Sequence, residues 1–258
     1  MQEGKTIEDV RAFWNSRAGL GQWAGSRDVM LKQLEMTAIS GYVRDGMQML
    51  EVGCGNGITA IELAKRFDVD LLGIDYAEEM VGAARGLAQG QSMKGRLRFE
   101  VGDLNALTHI RGTFDLVYTE RVLINLADWP QQRQAIESIG ALLRPGGLYV
   151  MCEHSQDGLD EINTLRVAAG LAKIDPPWHN RYFRDAELQT FAAPGLRLEG
   201  INYFTSTYYF ISRVVNAWLA QREGKEPEYE APVNQLALAL PSIAKFGQGR
   251  IWLWRKAA

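Results

Sequence analysis

The run MQMLEVGCGNGITAIELAKRF, Met47 to Phe67, constrains what this chain can fold into more than any other stretch. Met47 to Gly53 is apolar and of strand length, CGNG concentrates glycine, and ITAIELAKRF places apolar residues at helical spacing. Strand, glycine turn and helix in that order predict a βα unit. A second unit follows at once: VDLLGID, Val69 to Asp75, has the pattern of a buried strand ending on an acid, and AEEMVGAARGLA that of a helix. Two such units in succession predict a parallel sheet with right-handed crossovers. Further strands are expected at RLRFEVGD (Arg96 to Asp103), FDLVYTE (Phe114 to Glu120) and GGLYVMCE (Gly147 to Glu153). Between the last two lies a helix, QQRQAIESIGALLR, closed by an LRPGG turn.

The glycine turn discriminates among ligands. A dinucleotide fingerprint needs G-x-G-x-x-G, whereas Gly53, Gly55 and Gly57 give G-x-G-x-G, and Ile58 stands where the third glycine should fall. No Gly-Lys-Ser/Thr follows, which excludes a Walker loop. What the turn offers is close backbone approach, with Glu51 just before it, a setting better suited to an aminoacyl cation than to a phosphate. Asp75 ends the second strand, where an acid can accept both hydroxyls of a ribose. Asp103 ends the third, where its carboxylate can accept from an adenine amine while the Leu104 amide donates to the ring. Each acid could serve instead as a helix N-cap. Their joint position at the carboxyl ends of consecutive strands favours ligand binding.

Composition sets the outer bounds. With 258 residues, 47% hydrophobic and 23% charged, the chain is an ordinary globular sequence long enough for one large domain. Its formal net charge of −3 gives no electrostatic reason to expect nucleic acid. Two cysteines, Cys54 and Cys152, are too few to staple a domain of this size. The N-terminal MQEGKTIEDVRAFW lacks the pattern of a signal peptide, and no run approaches the length of a membrane span. A cytoplasmic protein without membrane association is expected.

LEVGCGNGITAIELA, LLGIDYAEEM, FEVGDLNAL, TFDLVYTERVLINL and LRPGGLYVMCE occur in the order and at the spacings of the class I S-adenosylmethionine-dependent methyltransferases, which the chain resembles over Met47 to Glu153. The resemblance implies a doubly wound α/β fold with a seven-stranded, mostly parallel sheet whose last strand is antiparallel. LRLEGINYF and GRIWLWRK are the candidates for the last two strands. It also implies S-adenosylmethionine as cofactor and S-adenosylhomocysteine as product. Gly53, Gly55 and Gly57 would lie beside its methionine and ribose parts, with Asp75 as the ribose clamp. Tyr76 and Met80 would flank the adenine, with Asp103 and Leu104 at its edge. Glu120 would pass beneath the sulfonium, and Arg121 and Asn125 would face the substrate.

The organisation expected is a single domain with a helical cap over residues 1–45, a cofactor-binding core over 46–153, a substrate-loop insertion over 154–185, and sheet completion over 186–258 carrying a further insertion at 205–247. In the cap, Thr6 followed by Asp9 predicts a helix start, and Phe13, Trp14, Arg17 and Trp23 would either close over the cofactor or pack on the sheet. Trp14 and Arg17 join Glu51 among the expected cofactor contacts. The aromatic residues Tyr208, Tyr209, Phe210 and Trp218 of the last insertion suit core packing or a homodimer contact.

Asp175-Pro176-Pro177-Trp178 spells a word that methyltransferases of nucleobase amines place at the end of their fourth strand. Here TERVLIN occupies that place and DPPW follows the fifth strand by more than twenty residues, so a stiff extended loop is the better reading. The same insertion carries two of the three histidines. Methyl transfer to a hydroxyl requires alignment and removal of a proton, and an imidazole suits the second task. His179 is therefore the expected general base, with His154 and Glu153 as second choices, and with Asn180, Arg181 and Tyr182 orienting a polar acceptor. ERVLINL and PWHNxYF together resemble a subgroup acting on saccharides or other polar metabolites. Hydroxyl methylation of a small molecule is expected. The alternatives are carboxyl or amine methylation, or a noncatalytic S-adenosylmethionine-binding subunit. No recognisable metal-ligand set follows strands four and five.

Overall fold

The computed structural model describes residues 6–110 and 112–258. Seven strands form one sheet: β1 Gln48–Val52, β2 Asp70–Asp75, β3 Arg96–Val101, β4 Phe114–Glu120, β5 Leu143–His154, β6 Leu196–Asn202 and β7 Gly249–Lys256. Their order is β3-β2-β1-β4-β5-β7-β6, parallel from β3 to β5, with β7 antiparallel to both its neighbours. The strand order reverses between β1 and β4, and at that switch point an open α/β sheet presents a crevice at its carboxyl ends. β5 starts earlier than its apolar run suggests, because Leu143 already pairs with Phe114. Pairing then resumes at Leu116 with Leu148, and residues 144–147 loop out as the LRPGG turn.

Strand alternation divides the core between the two faces. Leu50, Val52, Val117, Tyr149 and Met151 turn toward one side, where Trp252 and Trp254 of β7 complete a large apolar cluster. Met49, Leu71, Leu116, Tyr118, Val150 and Cys152 turn toward the other. The cap supplies α1 Ile7–Arg17 and α2 Val29–Ser40. Thr6 and Asp9 form the reciprocal capping box at the start of α1, and Asp28 caps α2. Crossover helices α3 Ile58–Arg66, α4 Glu78–Ala88 and α5 Trp129–Leu142 flank the sheet. Ile39 of α2 packs with Ala60 and Ile61 of α3 and Val81 and Ala84 of α4, while Ile136 and Ile139 of α5 cover the opposite face.

Both late insertions fold back over the carboxyl ends of the strands. After β5, α6 Gln156–Ala168 leads into an irregular segment, then α7 Asp185–Thr190. The far end of that segment is tied to its beginning: the Phe183 amide donates to the His154 carbonyl at 2.9 Å, and the Gln156 amide to the Phe183 carbonyl at 2.8 Å. The DPPWHN loop is thereby held close to the end of β5. Between β6 and β7, α8 Ser206–Phe210 runs through a π turn, Ile211–Val215, into α9 Asn216–Arg222, followed by α10 Pro232–Ala239. Tyr208 and Tyr209 are buried, whereas Phe210 and Trp218 are exposed by more than a third. Among the described residues no helix is long and apolar enough to cross a membrane.

Candidate active site

A cavity of about 430 Å³ opens at the carboxyl ends of the parallel strands and is roofed by the cap and both insertions. Its floor is the glycine turn. The Gly53 and Cys54 amides donate to the Ile74 carbonyl at 2.7 and 2.8 Å, which pins the turn to β2. The three glycines have positive φ for different reasons. A Cβ at Gly53 would lie 2.4 Å from Val122, and one at Gly57 would lie 2.4 Å from the Phe99 ring; at Gly55 it would meet nothing within 4 Å. Gly53 and Gly55 line the cavity, with Gly55 as the point where a ligand can approach the backbone. Gly57 does not line it. Its place is under Phe99 and Ala84, and the expectation that it faces the cofactor is corrected to a packing role.

The acids expected around the cofactor converge on this space. Asp75 is buried, accepting from the Gly55 amide at 2.8 Å and the Ala77 amide at 2.9 Å, so it shapes the glycine turn as well as facing the cavity. Burial pushes its carboxyl up, against the pull of those amides. Tyr76, Met80, Asp103 and Leu104 line the adjoining wall. Asp103 caps the next turn through the Asn105 amide, and the Arg11 guanidinium sits over the Tyr76 ring. Glu51 is the more telling residue. Its carboxyl is buried beside the Tyr118 hydroxyl, its Oε2 has no hydrogen-bond partner among the described residues, and burial raises its pKa to about 8. A buried acceptor beside an open glycine turn is what an incoming ammonium would satisfy. Together these groups fit the S-adenosyl group that the sequence resemblance implies.

A buried ionic set lies between the floor and the cap. Glu120 at the end of β4 accepts from Lys32 of α2 at 2.5 Å and from Thr59 of α3 at 2.6 Å. Burial opposes its charge, but Lys32 and Arg121 prevail and hold it at about 2. Arg121 Nε lies 3.0 Å from Glu35 of α2, whose carboxyl burial drives up. Arg121 itself has φ 58°, the left-handed region that non-glycine residues avoid, and the ion pairs hold it there. Lys32 and Glu35 have no motif to mark them. The only sequence signal that could have found them is two charges at helical spacing in an otherwise apolar segment.

The remaining wall is where the residues expected to face the acceptor would lie. His179 is buried in the cavity wall, its ring 4.5 Å from Phe13 and 5.7 Å from Trp14. Phe13, Trp14 and Arg17 do close over the cavity; Trp23, exposed by 39%, does not. Arg17 donates to the Ala24 and Trp23 carbonyls and so braces the turn between α1 and α2. Arg121, Asn125, His154, Asn180 and Tyr182 also line the cavity. Two expected residues do not. Arg181 turns away to pair with Glu187 and Gln132, so it anchors the loop to α7 and α5 and does not face the acceptor. Glu153 is fully buried behind the wall, accepting from the Val122 and Leu123 amides at 3.1 Å and from the Ile124 amide at 3.4 Å. Burial raises it to about 7 against those bonds. It shapes the loop after β4 and has no path to an acceptor. Asp28, Arg213, Tyr209 and Gln248 join the cavity unannounced.

A glycine turn flanked by strand-end acids, at the switch point of a 3-2-1-4-5-7-6 sheet, defines the class I S-adenosylmethionine-dependent methyltransferases. The chain belongs to the family described as a methyltransferase domain, which it matches over residues 43–176. It is 39% identical to ajmaline N-methyltransferase of Rauvolfia serpentina over 80 residues, 31% of this chain and 28% of that protein. It is 34% identical to 27-O-demethylrifamycin SV methyltransferase of Amycolatopsis mediterranei over 105 residues, 41% of this chain and 38% of that protein. These matches span less than two fifths of the relatives' length. In fold it is similar to magnesium protoporphyrin IX methyltransferase from Synechocystis PCC 6803 with bound S-adenosylhomocysteine, at a TM-score of 0.54 and 16% identity, covering 99% of this chain and 90% of that one.

Proposed function

We propose that the protein transfers a methyl group from S-adenosylmethionine to a hydroxyl of a small polar molecule, with His179 as general base. The observation that carries this reading is a roofed cavity whose floor suits the cofactor and whose far wall brings His179, Asn180 and Tyr182 together. When bound, the cofactor supplies an electrophilic methyl on sulfur. The chain's own part is alignment and proton removal. Gly55 and Glu51 would hold the aminoacyl end, Asp75 the ribose, and Tyr76, Met80, Asp103 and Leu104 the adenine. Phe13 and Trp14 exclude water from the acceptor side, and His179, packed against both, receives the acceptor's proton. Asn125, on the turn after β4, and Asn180 would orient the acceptor.

An amine acceptor is the second reading, favoured by the several N-methyltransferases among the relatives. A neutral amine attacks without a base, so the two readings separate kinetically. With radiolabelled methyl donor and a panel of hydroxyl and amine acceptors, His179→Ala and His179→Gln should lower turnover of the hydroxyl acceptor by about a hundredfold or more. The acid limb of its pH profile should vanish, and S-adenosylhomocysteine affinity should stay within about twofold. Unchanged turnover would remove His179 from the mechanism. Tight S-adenosylhomocysteine binding with no product from any acceptor would point to a noncatalytic subunit.

A further inference from the structure

Elsewhere in the cavity wall, four side chains from four places in the fold share one hydrogen-bond chain: His154 at the end of β5, Tyr182 of the substrate loop, Tyr209 of α8, and Gln248 just before β7. All four line the cavity. Gln248 Nε2 lies 3.4 Å from His154 Nδ1 and 3.5 Å from Tyr182 Oη. An amide nitrogen only donates, and its two hydrogens serve these two acceptors. His154 Nδ1 is therefore an acceptor. Burial, with Arg121 and Arg213 near, keeps the ring neutral, so its single proton sits on Nε2 and points at Tyr209 Oη, 3.4 Å away. Both phenol oxygens thus receive hydrogen bonds. Among the described residues neither phenol donates a hydrogen bond: the Asn180 side chain acts on the Tyr182 hydroxyl as a donor, and Asn180 Oδ1 accepts no bond.

We infer that Tyr182 and Tyr209 form a pair of hydroxyl donors that reads a carbonyl or carboxylate oxygen on the methyl acceptor. This rests on the methyltransferase reading of the same cavity. The flanking guanidiniums do not by themselves select an anion, because Arg213 is paired with Asp28 at 2.6 Å and Arg121 with Glu35 at 3.0 Å. Selection comes from the donors, which an acceptor-only oxygen satisfies and an ammonium opposes. His154 is thereby a poor choice of base: its one free lone pair is already taken by Gln248.

The test is binding to the S-adenosylhomocysteine-saturated protein of three probes of similar size, benzoate, acetophenone and benzylamine. Benzoate or acetophenone should bind at least about tenfold more tightly than benzylamine. Tyr182→Phe and Tyr209→Phe should each weaken the better probe about three- to tenfold, with S-adenosylhomocysteine affinity within about twofold of the parent as proof of an intact fold. A preference for benzoate over acetophenone would identify a carboxylate, and equal binding a carbonyl. Benzylamine binding as tightly as the other two, no binding of any probe, or probe affinity indifferent to both substitutions would each overturn the inference. Failure to bind S-adenosylhomocysteine at all would instead overturn the methyltransferase reading.

Discussion

Glu51 is a buried carboxyl whose cost in the folded state depends on pH. Its folded-state pKa of about 8 exceeds the ordinary carboxyl value, so through that window the native state holds a proton the unfolded chain has lost. Its contribution to stability therefore falls as pH rises from the ordinary carboxyl range to about 8. A cationic aminoacyl group beside it would favour the ionised form and expel that proton. The affinity for S-adenosylhomocysteine should thus rise with pH by up to about tenfold per unit and level off above about 8, as titration calorimetry would register. Glu51→Gln should flatten the curve, and a parent protein already flat would exclude the coupling. The glycines make a second residue-scale contrast. Gly57→Ala should cost about 3 kcal/mol in denaturant unfolding, because the methyl meets Phe99 in a conformation that already favours glycine. Gly55→Ala has room, so it should cost only about 1 kcal/mol of stability while sharply weakening S-adenosylhomocysteine binding. Equal stability losses would contradict this division.

At the scale of elements, the cap is fastened to the rest by buried charge. Asp28 caps α2 through the Leu31 amide, accepts from Tyr208 at 2.5 Å, and pairs with Arg213 on the π turn. Arg213 in turn lies about 5 Å from the ring centres of Tyr209 and Tyr229. Asp28→Ala removes a cap and leaves a largely buried guanidinium without its carboxylate, so chemical denaturation should show a loss of about 3 kcal/mol. A loss below about 1 kcal/mol would mean that the pair is solvated. Lys32 with Glu120 and Glu35 with Arg121 act likewise between α2 and the end of β4. The helices and strands themselves were legible from local signals: the βα units and the Thr6–Asp9 capping box stand where local pattern places them, and the antiparallel last strand stands where the family resemblance implies it. β5 was misjudged at its start because pairing across a looped-out turn leaves no periodic trace.

For the whole molecule, the cavity belongs to every segment at once: cap, core and both insertions contribute wall. Unfolding should therefore be one cooperative transition, and a ligand of the cavity should move it as a unit. At a hundredfold excess over its Kd, S-adenosylhomocysteine should add about 2.7 kcal/mol and raise Tm by roughly 5–10 °C. A calorimetric trace in which the cap melts separately, below a shifted core, would contradict this.

What the sequence determined by itself is the part written in contiguous residues. Glycines at fixed spacing, acids at strand ends and apolar runs specify the parallel βα units and the glycine turn between them, since each depends on neighbours a few residues away. The rest of the cavity wall depends on pairs far apart in the chain. Asp28 with Arg213, Lys32 with Glu120, and His154 with Tyr209 and Gln248 meet only after the insertions fold back over the sheet. Arg181 and Glu153 have the right chemistry in the right segment, yet Glu187 and the amides after β4 take them first. A side chain's direction is set by which partner satisfies it when buried, and only the tertiary structure decides that.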